Sequence, residues 1–129
     1  QANAPELLDN MLDENSVDEL WVFFPDPWHK SRHHKRRLVS PAFADKVARV
    51  LKPGGIWRLA TDWEEYAHVM RDVMEAHPDF ENMHAGEGAT EDDPVGGWAP
   101  RWEGRILTSF ERKAREAGRH AHDLTYRRK

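Results

Sequence analysis

The sequence contains no cysteine among its 129 residues, so disulfide bonds and thiolate metal sites are excluded. Long apolar runs are missing too, because the longest, at positions 20–24, is far too short to cross a bilayer. A Gly-rich loop of the kind that binds phosphates is also absent. These absences predict one cytoplasmic domain without a membrane span. The adjacent His33 and His34 point in different directions, so we expect no metal site.

Acidic and basic residues are segregated along the chain, and the formal net charge of −4 conceals this. Residues 1–28 carry seven acids and no Lys or Arg, whereas residues 29–37 carry five cations, three histidines and no acid. Residues 112–129 carry seven cations against two acids. A charge run is usually a solvated surface. Two basic blocks on an acidic chain nevertheless favour a polyanionic partner, most simply nucleic acid.

Apolar periodicity predicts alternating strands and helices, and therefore an α/β domain with an open, mostly parallel sheet and flanking helices. Gly54-Gly55 is interpreted as a turn between a helix and a strand, and residues 81–105 as a long loop. The predicted strands are 17–24, 56–60 and 122–127, and the predicted helices are 5–12, 40–51, 63–74 and 109–117.

Two aspartates follow predicted strands, where open α/β sheets bind their ligands. Asp26 lies between two prolines that stiffen its position, although it could also be an ordinary turn residue. Asp62 could instead cap the next helix, forming a capping box with Glu65. Trp28, beside Asp26, offers a flat apolar surface for stacking a base.

Four motifs in order resemble the signature of bacterial tRNA (guanine-N7-)-methyltransferases. The first reads Phe-Pro-Asp-Pro-Trp-His-Lys at positions 24–30 and continues through the basic residues to position 37. The others are Leu-Ala-Thr-Asp-Trp-Glu at 59–64, Arg-Ile-Leu-Thr-Ser-Phe-Glu at 105–111, and the segment 118–127, which ends Asp-Leu-Thr-Tyr-Arg. The resemblance extends over essentially the whole chain.

This resemblance implies a Rossmann-like class I fold and methyl transfer from S-adenosylmethionine to N7 of a guanosine at position 46 of the tRNA variable loop. It also implies residue roles. Asp26 would be catalytic and close to the cofactor, and Asn3 would also contact the cofactor. The substrate-binding residues would be Lys30, Asp62, Thr108, Ser109, Phe110 and Glu111, and the RNA-binding residues Arg32, His33, His34, Lys35, Arg36 and Arg37.

One departure concerns the family's Gly-rich cofactor loop, which would lie upstream of Asn3. We therefore expect residues 1–129 to be the C-terminal half of the methyltransferase domain, inactive alone and prone to self-association through the strand at 17–24. Ser109 also stands where the family often has a basic residue. Two alternatives stay open: a non-catalytic RNA-binding or partner-binding module on the same half-fold, and a basic-tailed α/β domain without an RNA role.

Overall fold

The computed structural model describes residues 4–129, except for the side chain of Phe110. The described strands form one sheet in the order β1-β2-β4-β3. β2 runs parallel to β1, and β4 runs antiparallel to both β2 and β3. The strands are β1 (Val17–Phe23), β2 (Leu51–Thr61), β3 (Phe80–Asn82) and β4 (His122–Arg128). The helices are α1 (Ala4–Asn10), α2 (Pro41–Val50), α3 (Glu64–Glu75) and α4 (Ser109–Glu116), with a 3₁₀ helix at Ser31–Arg36.

The predicted α/β class with flanking helices is confirmed, and the sheet is mixed because β4 enters between β2 and β3 in the antiparallel sense. β1 and β2 supply the parallel pair. The buried core includes Trp57, Met70 and Tyr126, which come from β2, α3 and β4. Among the described residues, no helix has the length and apolar character needed to cross a membrane.

The start of β2 differs from the prediction. The expected turn at Gly54-Gly55 lies inside the strand, as a bulge: Val17 is opposite Leu51, but Glu19 is already opposite Ile56. Gly54 has φ +87°, which a residue with a side chain rarely adopts. A Cβ on Gly55 would lie 2.8 Å from the carbonyl oxygen of Lys52. Both glycines are therefore needed for the bulge rather than for a helix-to-strand turn.

Strand β3 was not predicted. It pairs Phe80 with Arg128 and Asn82 with Tyr126, at the opposite edge of the sheet from β1. Three residues are too few to show an alternating apolar pattern, so periodicity gave no signal. The prediction of uninterrupted loop from residue 81 is wrong at its first two positions for this reason.

Helix α2 begins as predicted, since the Ser40 side chain accepts a hydrogen bond from the Phe43 amide and Pro41 occupies the first turn. The long loop that follows β3 is attached to α3 by Arg71. The Nη1 atom of Arg71 donates to Asp93 at 2.9 Å and to the Gly96 carbonyl at 2.8 Å. The Trp98 indole N–H donates to the same Asp93 carboxylate at 2.8 Å. One buried arginine therefore holds the middle of the loop.

Asp93→Asn is expected to loosen this loop. The hydrogen bonds from Arg71 and Trp98 lower the pKa of Asp93 from 3.8 to about 2, so its stabilising contribution is present above pH 3.8 and is lost as the pH falls towards 2. We expect about 1.5 kcal/mol less unfolding free energy near neutral pH, as for a hydrogen bond to a charged group. Urea denaturation at several pH values measures this difference.

The matched control is Asp92→Asn at the neighbouring exposed position, which should leave stability nearly unchanged. The difference between Asp93→Asn and the parent should shrink at acid pH. A difference that stays constant down to pH 2 would contradict the assignment.

Candidate active site

The structure places Asp26 and Asp62 at the same end of the sheet, just beyond the carboxyl ends of β1 and β2. Phe23 is opposite Ala60 in the parallel pair β1–β2, and the amide of Phe24 donates to the Ala60 carbonyl at 2.8 Å. Each aspartate follows this last paired position by two or three residues. Both carboxylates therefore belong to loops that leave the carboxyl ends of adjacent parallel strands, the position where such sheets bind ligands.

The Asp26 loop has an unusual backbone. Phe24 and Trp28, on either side of Pro-Asp-Pro, have φ values of +54° and +44°. Bulky residues rarely adopt this left-handed conformation, and such outliers cluster at functional sites. Asp26 is exposed, and its Oδ1 accepts a hydrogen bond from the Trp28 amide at 3.0 Å. The loop thus holds a solvent-accessible carboxylate in a defined position.

Asp62 has the opposite environment. Its side chain is only 2% exposed and accepts a hydrogen bond from Nε of Arg119 at 2.8 Å. The predicted capping box with Glu65 is wrong. Trp63 is the N-cap residue of α3 and has no side-chain cap bond, while Thr61 Oγ1 accepts a hydrogen bond from the Trp63 amide at 3.3 Å. Asp62 is therefore a buried carboxylate paired with one arginine.

The basic segment after Asp26 forms the 3₁₀ helix, for which periodicity gave no indication. Its Arg36 guanidinium lies 5.2 Å from the centroid of the Trp28 ring, and the His33 ring meets Trp28 edge-on at 5.6 Å. These contacts occupy part of the Trp28 surface, and the stacking of a base on Trp28 stays a prediction. The exposed cations of the segment are Lys30, Arg32, Lys35 and Arg36, while His33 and His34 are half-buried.

Arg37 differs from the rest of the basic segment. It is 7% exposed, donates to the Pro27 carbonyl at 2.6 Å and forms a two-pronged salt bridge with Glu65. This hydrogen bonding holds the pKa of Glu65 below its ordinary value. The expectation that Arg37 contacts RNA does not fit this placement. Arg37 instead ties the Asp26 loop to α3, where its guanidinium also lies over the Tyr66 ring.

The Thr108–Glu111 segment has a structural role in this arrangement. Thr108 caps α4 by accepting a hydrogen bond from the Glu111 amide at 3.1 Å, and Ser109 is exposed. Glu111 is 1% exposed and accepts hydrogen bonds from Arg105 at 2.9 Å and from Arg101 at 3.3 Å. Arg105 also binds Asp123 on β4. The described contacts of Glu111 are therefore with arginines of the protein itself.

Burial alone would raise the pKa of Glu111, but the hydrogen bonds from Arg101 and Arg105 hold it below its ordinary value. Sequence reasoning did not single out Arg101 or Asp123 as site residues. The only signal in the sequence was that two arginines, four residues apart, precede the Thr-Ser-Phe-Glu motif. This spacing does not reveal that one of them has a buried partner on another strand.

Glu111→Gln is expected to lower the unfolding free energy by about 1.5 kcal/mol, because the buried Arg105 and the more exposed Arg101 lose a charged acceptor while retaining a neutral one. Thermal unfolding measures this loss. Glu116→Gln on the same helix, at an exposed position, is the control and should change stability by less than about 0.5 kcal/mol. Equal effects of both substitutions would show that the arginine cluster does not depend on the Glu111 charge.

Two cavities adjoin these groups and share His120. The larger, of about 420 Å³, lies beside Asp62, Trp63 and Arg119. The smaller, of about 260 Å³, is polar and includes Arg101, Arg105 and Asp123 in its lining. Among residues 4–129, no three potential metal ligands from His, Asp and Glu lie together. Asn3 and the side chain of Phe110 lie outside the described part of the chain.

Comparison with known proteins identifies the family to which the chain belongs. Residues 1–124 match the profile of a family described as "Putative methyltransferase". The chain belongs to this methyltransferase family. Two curated relatives, both named tRNA (guanine-N(7)-)-methyltransferase, are 48% identical to it. The protein of Paenarthrobacter aurescens (strain TC1) is matched over 100% of this chain and 56% of its own length. That of Pseudomonas putida (strain W619) is matched over 96% and 48%.

The chain thus spans about half the length of these methyltransferase relatives. Among solved structures, a SAM-dependent methyltransferase from Archaeoglobus fulgidus has a TM-score of 0.52 at 7% identity, over 99% of this chain and 66% of its own. The Thermus thermophilus protein named "Putative DNA Modification Methylase", complexed with S-adenosyl-L-methionine, has a TM-score of 0.50 at 17% identity, over 99% and 51%. At these identities the likeness supports the methyltransferase fold alone.

Proposed function

We propose that this chain is the C-terminal part of a cytoplasmic tRNA methyltransferase that transfers a methyl group from S-adenosylmethionine to N7 of guanosine 46. The observation that carries the proposal is that Asp26 and Asp62 follow the carboxyl ends of two adjacent parallel strands, and that the exposed basic 3₁₀ helix comes directly after the Asp26 loop. The names of the curated relatives support the choice of tRNA and of guanine N7.

Methyl transfer to guanine N7 requires mainly that the protein position the two reactants. Guanine N7 carries a lone pair and no proton, so methyl transfer needs no strong base. It needs N7 in line with the bond that breaks, with water excluded. Carboxylates can accept hydrogen bonds from guanine N1–H and N2–H, which adenine does not offer. Asp26 and Asp62 are carboxylates that follow the carboxyl ends of β1 and β2, and either can accept these hydrogen bonds from guanine.

Asp26 also fits a contact with the cofactor, because its carboxylate is exposed and its loop leaves an edge strand. S-adenosylmethionine, when bound, supplies the electrophilic methyl group. The second cofactor residue of the proposal, Asn3, lies outside the described residues. Since the relatives are about twice as long as this chain, we assign the remaining cofactor contacts to the rest of the protein.

The open side of β1 supports the proposal that this chain is one half of a larger sheet. β1 is an edge strand, and its Trp21 side chain is 53% exposed. An apolar groove of about 300 Å³ runs beside it, with Leu20 and Val22 in its lining. An exposed apolar edge favours pairing with another strand. Self-association of the isolated 129-residue chain therefore stays a prediction, as does its lack of activity on its own.

The proposal is tested by incubating the full-length protein with S-adenosylmethionine and a tRNA transcript, followed by nuclease digestion and mass spectrometry of the nucleosides. We expect 7-methylguanosine from a transcript with G46 and none from the matched transcript with A46. Tight tRNA binding without any 7-methylguanosine would instead favour a non-catalytic RNA-binding module. Equal methylation of both transcripts would contradict the assignment of position 46.

A further inference from the structure

Arg119 lines the larger cavity together with Asp62 and Trp63, in an arrangement that resembles a bound base. Its Nε donates to Oδ2 of Asp62 at 2.8 Å, and its guanidinium lies over the Trp63 ring, 4.6 Å from the centroid. We infer that the target guanine binds against Trp63 and Asp62 in the place that the Arg119 guanidinium now occupies, and that it must displace this side chain. The inference rests on the proposed function and adds Trp63 and Arg119 to the site.

The chemical likeness between the two groups supports this. A guanidinium is flat and presents N–H donors in a fixed fork that matches a carboxylate, and it stacks on aromatic rings. The Watson–Crick edge of guanine presents N1–H and N2–H donors from a flat ring. Adenine presents an acceptor at N1 beside its N6 amino donor, so it cannot offer two adjacent donors to one carboxylate. The pair of Trp63 and Asp62 therefore favours a flat group with two adjacent donors, which guanine has and adenine lacks.

The volume of the larger cavity and the exposure of the two side chains also support a base at this position. The cavity of about 420 Å³ beside Trp63 lies in the size range of small-ligand sites. The Asp62 side chain is 2% exposed and that of Arg119 is 37% exposed, so the arginine is the more accessible member of the pair. A base that binds Asp62 must compete with Arg119 for the carboxylate.

Arg119 can move without disturbing the backbone around it. It follows Gly118, which has φ +85° and ends the turn after α4. The Arg119 amide donates to the Ala114 carbonyl at 2.8 Å, which fixes the main chain, while the partly exposed side chain is held by Asp62 and Trp63. Displacement therefore costs the Asp62 pair and the stacking contact, both of which guanine replaces.

Trp63 also contacts the segment that follows Asp26. His29, in the segment that follows Asp26, meets the Trp63 ring edge-on at 4.0 Å between centroids. The other tryptophan of this region, Trp28, lies under Arg36 at 5.2 Å and is not among the lining residues of the larger cavity. Trp63 is thus the tryptophan that combines the larger cavity, a carboxylate and contact with the Asp26 segment.

The first test titrates the full-length protein with guanosine 5′-monophosphate and follows the Nε–H signal of Arg119 and the indole N–H of Trp63 by NMR. We expect both signals to shift with guanosine monophosphate, and neither to shift with adenosine monophosphate at the same concentration. Signals that stay unmoved by guanosine monophosphate overturn the inference, even in a protein that forms 7-methylguanosine. Absence of 7-methylguanosine with both signals shifting would overturn the proposed function alone.

The second test uses Arg119→Lys, which keeps a positive charge beside Asp62 but loses the flat fork. Because lysine is the weaker competitor for the base position, we expect guanosine monophosphate to bind about three- to tenfold more tightly. Arg112→Lys, on the exposed side of α4, is the matched control and should leave the affinity unchanged. Unchanged or weaker binding to a folded Arg119→Lys protein would show that Arg119 is a permanent partner of Asp62.

Discussion

Asp26→Ala should lower kcat for tRNA methylation by roughly 10²–10³-fold, the loss typical of removing one preorganised polar group from an active site. Tight tRNA binding depends mainly on phosphate contacts, so the affinity for tRNA should stay within a few fold of the parent. The exposed Asp26 carboxylate is positioned by the two left-handed residues around it, and alanine removes the carboxylate while keeping the prolines. Steady-state kinetics with labelled S-adenosylmethionine and a separate tRNA binding assay measure both quantities.

Two controls sharpen this prediction. Asp26→Asn retains a hydrogen-bond acceptor without the charge, so its kcat should lie between those of Asp26→Ala and the parent. Asp92→Ala removes an exposed carboxylate elsewhere in the chain and should leave kcat unchanged. A parent-like kcat in Asp26→Ala would remove this residue from the catalytic machinery.

Replacing Arg32, Lys35 and Arg36 together by alanine should weaken tRNA binding roughly 10²-fold at moderate salt, because three exposed cations of the 3₁₀ helix are lost. Each lost phosphate contact reduces the salt slope of the binding constant by about 1, so the slope should fall by about 3. Filter binding at four or more salt concentrations gives both numbers. The kcat at saturating tRNA should change much less than the affinity does.

Arg37→Ala provides the contrast within the same basic segment. Its guanidinium is buried against Glu65 and the Pro27 carbonyl, so the substitution should lower thermal stability and disturb the Asp26 loop with little change in salt slope. If Arg37→Ala instead reduced the salt slope as one of the exposed cations does, Arg37 would be an RNA contact and the structural role assigned to it would be wrong.

The parts of the fold that the sequence predicted are those set by local patterns. The apolar run before Pro25 predicted β1, and Ser40-Pro41 predicted the start of α2, because both signals act over a few neighbouring residues. The parallel pairing then followed from the strand–helix–strand order, which also placed Asp26 and Asp62 at one edge.

The features that could not be predicted depend on partners distant in the chain. Asp62 resembled a helix cap, yet its partner is Arg119, 57 residues away. Glu65 resembled the other half of a capping box, yet it binds Arg37 from a different segment. Gly54-Gly55 has the composition of a turn, and only the register between β1 and β2 shows that it is a bulge.

The most direct measurement of the central claim places 7-deazaguanosine at position 46 of a tRNA and assays methyl transfer from labelled S-adenosylmethionine by the full-length protein. This base keeps N1–H and N2–H, so its contacts with Asp26 and Asp62 are preserved, but a C–H group replaces N7. We expect the modified tRNA to bind like normal tRNA and to accept no label. Incorporation of label at the normal rate would show that the methyl group goes to another atom, which would contradict the account.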